Sequence, residues 1–157
     1  MQATETDLVK VIDRIDANWK DFQASYAGLN DEEMLIPGVV DEWSVRDILA
    51  HVAVWDTYAM DALPGILETG EHPRYDYQDE TIDAYNARMT EEKRHLSLDE
   101  VREELEETHR RLLEYLGTVD ASAFAAKDAF RERLAADTWD HYPEHAAAIR
   151  AWRGGRS

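Results

Sequence analysis

The sequence predicts an all-α protein, a four-helix bundle that occupies one domain over residues 1–157. Three observations lead to this prediction. Apolar residues recur at helical spacing in four long segments, serine-based capping patterns mark two helix starts, and nothing alternates like a strand. Amphipathic helices that each bury one stripe can share a core only as a bundle.

The first helix is predicted by a single apolar stripe whose members follow one another at steps of four and three residues. Gly28 to Asn30 is expected to end this helix, and a connector with Pro37 and Gly38 follows. The stripe consists of Leu8, Ile12, Ile15, Trp19, Phe22, Tyr26 and Leu29.

The second helix opens at Ser44, because Ser44 and Asp47 have the spacing of a capping box. Apolar residues continue at helical spacing as far as Leu63. Pro64 and Gly65 are expected to disturb the end of the helix, since proline removes a backbone donor and glycine is flexible.

The third helical unit follows an aromatic-rich loop over residues 72–77 and resumes near Asp79. The inward residues predicted for this first part are Ile82, Tyr85 and Met89. Ser97 and Glu100 then form the clearest capping box of the chain and open a long stripe that stops near Gly117.

The last helix is expected to run through Ile149 and Trp152. Proline is tolerated without distortion only in the first turn of a helix, so Pro143 implies that the last helix either begins near Asp140 or bends at the proline.

Composition excludes several classes of function. With 34 acidic and 17 basic residues the net charge is −17, which repels nucleic acid and anionic membranes. No apolar run is long enough for a membrane span and no signal peptide is recognisable, so a cytoplasmic protein is expected. The absence of cysteine excludes thiolate ligands and a cysteine nucleophile. Any thiol chemistry would therefore need a thiol co-substrate.

A metal site is indicated by His141 and His145, because residues four apart lie on one helix face and two imidazoles there can bind one cation. A third ligand must come from elsewhere, and His51 lies on a strongly patterned helix that can supply it. Three protein ligands would leave coordination positions open for water, a thiol or substrate. Spacing alone leaves open that these are ordinary surface or core histidines, and the remaining ones, His72, His95 and His109, are interpreted as solvated.

A substrate pocket is predicted beside His51, with Trp55, Tyr58 and Asn86 as substrate-binding residues and further aromatic residues from the 72–77 loop. These residues cluster around the helix ends nearest His51. The same pattern also allows Trp55 to be a core tryptophan and Asn86 a hydrogen-bonded polar residue of the core.

Two segments together resemble the DinB-like superfamily of four-helix bundles: D-E-W-S-V-R-D-I-L-A-H-V-A-V-W-D and, about ninety residues later, D-T-W-D-H-Y-P-E-H-A-A-A-I-R-A-W. Within it, W-S-V-R-D-I-L-A-H and the pattern Y-N-A-R-M…S-L-D-E-V-R-E-E-L-E-E-T-H-R-R-L-L are most similar to the ClbS/DfsB branch. In metal-binding members a histidine ends the W-S-x-x-x-x-x-x-H motif and two ligands four apart lie on the fourth helix. The resemblance thus implies metal ligands at His51, His141 and His145.

Known members of the superfamily include transferases of low-molecular-weight thiols in which a metal activates the thiol, so an enzyme is one function that the resemblance implies. The first hypothesis is a metal-dependent thiol transferase or hydrolase that acts on a reactive electrophile in stress or toxin resistance. His51, His141 and His145 are then both the metal ligands and the catalytic centre, with zinc, nickel or iron as the metal.

Two alternatives stay open: a metal-independent hydrolase of the ClbS type, and a non-catalytic bundle that binds a small molecule. Asp56, Tyr58 or Glu144 are candidates for orienting a ligand histidine or moving a proton. The expected partners are a small-molecule substrate and, in a homodimer, a second copy of the chain.

Overall fold

The computed structural model describes residues 5–71, 80–122 and 128–156, and these residues form helices without a β-strand, apart from one isolated bridge between Val40 and Trp43. The all-α prediction is confirmed. None of the described helices is both long and apolar enough to cross a membrane. The helices are α1 (Glu5–Tyr26), α2 (Asp31–Met34), α3 (Val45–Thr69), α4 (Ile82–Glu92), α5 (Leu98–Leu116), α6 (Asp128–Asp137) and α7 (Tyr142–Gly154).

The four longest helices, α1, α3, α5 and α7, form the predicted bundle. Helix α3 is the central element and packs mainly on α5 and α6, whereas α7 packs along α1. Contact between α3 and α7 is much smaller. The largest side chains that are fully buried between these helices are Phe22, Met34, Ile48, Leu49, Leu63, Leu105, Leu112, Phe130 and Tyr142.

Capping explains where two of the long helices begin. The Ser44 hydroxyl accepts a hydrogen bond from the Asp47 backbone N–H, and the Asp47 carboxylate accepts one from the Ser44 N–H. Ser97 and Glu100 make the same reciprocal pair. Each box satisfies two backbone donors that a helix start leaves without a partner. Both predicted capping boxes are confirmed.

The predicted disturbance at Pro64 and Gly65 is wrong, because α3 continues to Thr69 and ends at Gly70, which has a φ of 76°. Both residues are exposed, so the proline ring faces solvent and costs the helix one hydrogen bond. Leu63 and Ile66 are fully buried on the other face, and their packing holds the helix together through this turn.

The connecting segments differ from the prediction in two further places. Ile82 was expected to face inward but is 53% exposed, because Tyr85 is the residue of this turn that packs against α3. Helix α6, Asp128–Asp137, was not predicted as a separate element; its weak apolar periodicity hides it, although Phe130 and Leu134 are fully buried. The 72–77 loop lies outside the described residues.

The last helix begins at Tyr142 and places Pro143 in its first turn, so the first of the two predicted arrangements is the observed one. His141 is the residue immediately before the helix, and its carbonyl accepts the backbone N–H of His145 at 3.4 Å. The pair therefore lies on one turn.

A buried guanidinium clamps the start of α3 to the connector between α4 and α5. Arg46 is 7% exposed and donates to the carbonyl oxygens of Lys93 and Leu96, the latter at 2.7 Å, and to the Asp47 carboxylate at 3.1 Å. This clamp fixes one end of α3 relative to α4.

Replacing Arg46 by methionine is expected to lower the free energy of unfolding by about 3 kcal/mol, because two part-buried carbonyls and one oxygen of the buried Asp47 carboxylate lose their donor. Denaturant titration measures the loss. Arg102→Met, which breaks only exposed pairs with Asp31 and Asp99, is the control and should change stability by about 0.5 kcal/mol or less. Equal effects would show that the clamp does not stabilise the fold.

Candidate metal centre

Three histidine rings meet where α3 approaches the start of α7. His51 lies in the second turn of α3, and His141 and His145 lie one turn apart at the beginning of α7. The Nε2 atom of His141 is 3.0 Å from Nε2 of His51 and 2.8 Å from Nε2 of His145. The structure thus brings together the three predicted ligands, and one cation can contact nitrogens that lie this close.

Burial keeps the three rings neutral. It lowers the pKa of His51 to about 3, with a further contribution from His145, and the pKa of His145 to about 4. Burial together with the two neighbouring rings holds the pKa of His141 well below its ordinary value. Neutral imidazole is the form that binds metals, so the ligands need no deprotonation at pH 7.

The donor set fits a divalent metal. Three neutral imidazole nitrogens point toward one place, where their lone pairs repel unless a proton or a metal ion lies between them. Nitrogen donors of this kind suit zinc, nickel and iron. Among the described residues, the buried Nδ1 atom of His145 has no hydrogen-bond partner, although ligand histidines usually donate from that nitrogen.

A buried hydrogen bond links the two helices that carry the ligands. The Tyr142 hydroxyl of α7 donates to Oδ1 of Asp56 on α3 at 2.9 Å. Asp56 is fully buried, and burial raises its pKa well above the ordinary value, which favours the neutral form of the carboxyl group. Asp56 was a candidate for orienting a ligand histidine, but its carboxyl group is hydrogen-bonded to Tyr142 instead.

The interpretation of His109 as a solvated residue is wrong. Its side chain is 6% exposed and stacks on Trp19 with ring centroids 3.8 Å apart and planes inclined by 7°. Its Nδ1 atom lies 3.4 Å from the Tyr142 hydroxyl. Burial lowers the pKa of His109 to about 4. The residue belongs to the bundle core, whereas His95 is exposed as expected and His72 lies outside the described residues.

A cavity of about 640 Å³ opens beside the three histidines. Trp55 and Asn86 line it, and the Trp55 indole donates to Oδ1 of Asn86 at 2.8 Å. Tyr58 is not among the described lining residues; its ring lies behind Trp55, 5.0 Å from the indole. The lining includes Trp43, Trp55, Asn86, Arg133, Asp137 and Glu144.

Trp43 is a cavity residue that the sequence reasoning did not single out. Its ring lies 5.0 Å from the ring of His51. The chain turns sharply at Val40–Trp43, where Asp41 has a φ of 51°, and the backbone N–H of Trp43 donates to the carbonyl of Val40 at 2.8 Å. The W-S motif could have indicated this residue, because the tryptophan directly precedes the N-cap residue Ser44.

Arg133 and Asp137 were also missed, although their spacing of four on α6 is a recognisable sign of an ion pair. The guanidinium holds the buried carboxylate through two nitrogens, with Nε 2.8 Å from Oδ2. It also lies over the rings of Trp55 and Tyr58, 5.6 and 5.4 Å from their centroids. Burial raises the pKa of Asp137 to about 7 although Arg133 favours the charged form.

Comparison with known proteins agrees with this fold. The sequence profile of the DinB superfamily matches residues 14–148. None of the curated proteins matches the chain significantly.

Two solved structures share the fold. DfsB, described as a sibling lethal factor precursor, superposes with a TM-score of 0.76 at 16% identity and covers 95% of this chain and 96% of its own. A Streptococcus pneumoniae protein superposes with a TM-score of 0.75 at 12% identity, with 98% and 94% covered. The ClbS/DfsB resemblance is thus supported at the level of fold, and the profile match over most of its length shows that the chain belongs to the DinB superfamily.

Proposed function

We propose that this protein is a metal-dependent enzyme that acts on a small reactive electrophile. The observation that carries the proposal is the convergence of three neutral imidazoles, two of them buried and that of His141 half-buried, on the wall of a cavity of about 640 Å³. Catalytic metal sites commonly use three protein ligands and leave a position open, whereas structural sites are closed. The cavity provides room for a substrate next to that position.

In this proposal His51, His141 and His145 hold the metal, which would be zinc, nickel or iron. When bound, such a metal supplies acidity to a coordinated water or thiol near neutral pH. The chain contributes the neutral ligands and a wall of aromatic side chains, Trp43 and Trp55, that limits the access of water.

The nucleophile must come from outside the chain. The sequence has no cysteine, and the buried polar groups near the histidines are Asp56, Asp137 and Tyr142 rather than a serine relay. A low-molecular-weight thiol makes the protein a thiol transferase, and water makes it a hydrolase. The biological setting that we propose is resistance to a toxic electrophile in the cytoplasm.

A second candidate, a metal-independent hydrolase of the ClbS type, is favoured by two observations. The fold is similar to that of DfsB. In addition, the described residues provide no hydrogen-bond partner for Nδ1 of His145, and such a partner would orient and strengthen a metal ligand. A non-catalytic bundle that binds a small molecule would use the same cavity without chemistry.

The decisive experiment compares wild type with His145→Ala, both purified without a histidine tag, for metal content and for turnover of an electrophile panel with cysteine-derived thiols and with water. We expect the variant to lose both metal and turnover. His95→Ala, which removes an exposed histidine, is the control. Equal turnover by wild type and His145→Ala would reject the metal mechanism in favour of the metal-independent hydrolase, and binding without turnover would favour the binding bundle.

A further inference from the structure

The indole N–H of Trp55 determines the orientation of the Asn86 side-chain amide in the cavity. The indole nitrogen of Trp55 can only donate, and it lies 2.8 Å from Oδ1 of Asn86. The amide oxygen must therefore face the tryptophan, because the amino group in that place would meet another donor. Trp55 is only 6% exposed and packs with Val54 and Tyr85, so the indole is held firmly.

The other end of the same amide is a hydrogen-bond donor without an acceptor. Asn86 lines the cavity and is half-buried, and among the residues that the structure describes its amino group has no hydrogen-bond partner. With the oxygen engaged by Trp55, the amino group is the part of Asn86 left to contact a ligand. A ligand that binds there must present an acceptor.

The charge of the cavity decides what kind of acceptor fits. Exposed carboxylates of Asp41, Asp83 and Glu144 lie around the lining. The guanidinium of Arg133 is already engaged by the carboxyl group of Asp137 through two nitrogens. A carboxylate or phosphate on the ligand would be repelled by this surplus of negative charge, whereas a neutral carbonyl oxygen would not.

We propose that Asn86 is a specificity-determining residue that binds a neutral carbonyl oxygen, so that the substrates are uncharged ketones, esters or amides with an apolar or aromatic body beside Trp43 and Trp55. The assignment of carbonyl compounds as substrates rests on the proposed function, because a carbonyl carbon is an electrophile and a carbonyl group can activate a neighbouring electrophilic atom. The binding itself needs only the amide and the cavity.

The test uses the metal-free protein and three phenyl probes of similar size: benzylacetone as the ketone, hydrocinnamate as the carboxylate and butylbenzene without an acceptor. Ligand-observed NMR titration gives their dissociation constants. We expect wild type to bind the ketone about tenfold more tightly than either of the others, which corresponds to one good hydrogen bond.

Two variants assign the effect to the amide. Asn86→Asp keeps an acceptor for the Trp55 indole but replaces the amino group by an oxygen, so it should weaken ketone binding by about tenfold. Asn18→Asp makes the same change on α1, away from the cavity, and should leave binding unchanged. Trp55→Phe removes the donor that orients the amide and should also weaken ketone binding.

Any of four results would overturn the assignment. Ketone binding would be undetectable at millimolar concentration, equal to that of butylbenzene, weaker than that of hydrocinnamate, or insensitive to Asn86→Asp. These results do not depend on metal loading. Failure of the proposed function would instead appear as turnover in His145→Ala equal to that of wild type.

Discussion

Zinc affinity is expected to change by less than about tenfold between pH 8 and pH 5, because burial lowers the pKa of His51 and His145 below this range and holds that of His141 well below its ordinary value. Protons compete with a metal only below the pKa of a ligand, and burial lowers two of these pKa values to about 3 and about 4. Three imidazoles with ordinary pKa values near 6.5 would lose about 10⁴-fold in affinity over the same range.

Competition with a chelator of known pH dependence measures this affinity at each pH. A helical peptide with two exposed histidines at the spacing of His141 and His145 is the control, and its two ordinary imidazoles should lose about 10³-fold in affinity. A loss of about 10⁴-fold in the protein as well would mean that the rings titrate like solvated imidazoles and do not form the buried cluster.

Asp56→Asn is expected to stabilise the protein relative to wild type by an amount that increases as the pH rises. Burial raises the pKa of Asp56 well above its ordinary value of 3.8, so the folded state keeps a proton that the unfolded chain releases. Wild type therefore loses stability as the pH rises from that ordinary value toward the folded pKa. Asparagine is neutral at every pH and still offers an oxygen to the Tyr142 hydroxyl.

The difference in free energy of unfolding between variant and wild type should grow by up to about 1.4 kcal/mol per pH unit. Urea titrations at pH 5, 6, 7 and 8 measure the slope, which is independent of any constant cost of fitting the new amino group. Asp13→Asn, at an exposed position on α1, is the control for removing an aspartate. A difference that stays constant from pH 5 to pH 8 would show that Asp56 is charged in the folded protein.

The structural features that could be predicted from the sequence alone are those that depend on interactions between residues about four positions apart or fewer. The apolar stripe of α1 and the capping boxes at Ser44 and Ser97 are of this kind, since both partners of each contact lie in one turn. The shared turn of His141 and His145 follows from the same spacing. Pro64 shows the limit, because burial of the opposite helix face outweighed a local signal for termination.

Other features of the site join residues that are far apart in the chain, so they depend on how the helices pack. Spacing and resemblance indicated His51 as the third ligand, but its approach to His141 across ninety residues depends on how α3 lies beside α7. The Tyr142–Asp56 hydrogen bond, the burial of His109 and the orientation of the Asn86 amide likewise depend on side chains from separate helices. A local pattern records which face of a helix is apolar, whereas the partner of each buried polar group is set by which helices pack together.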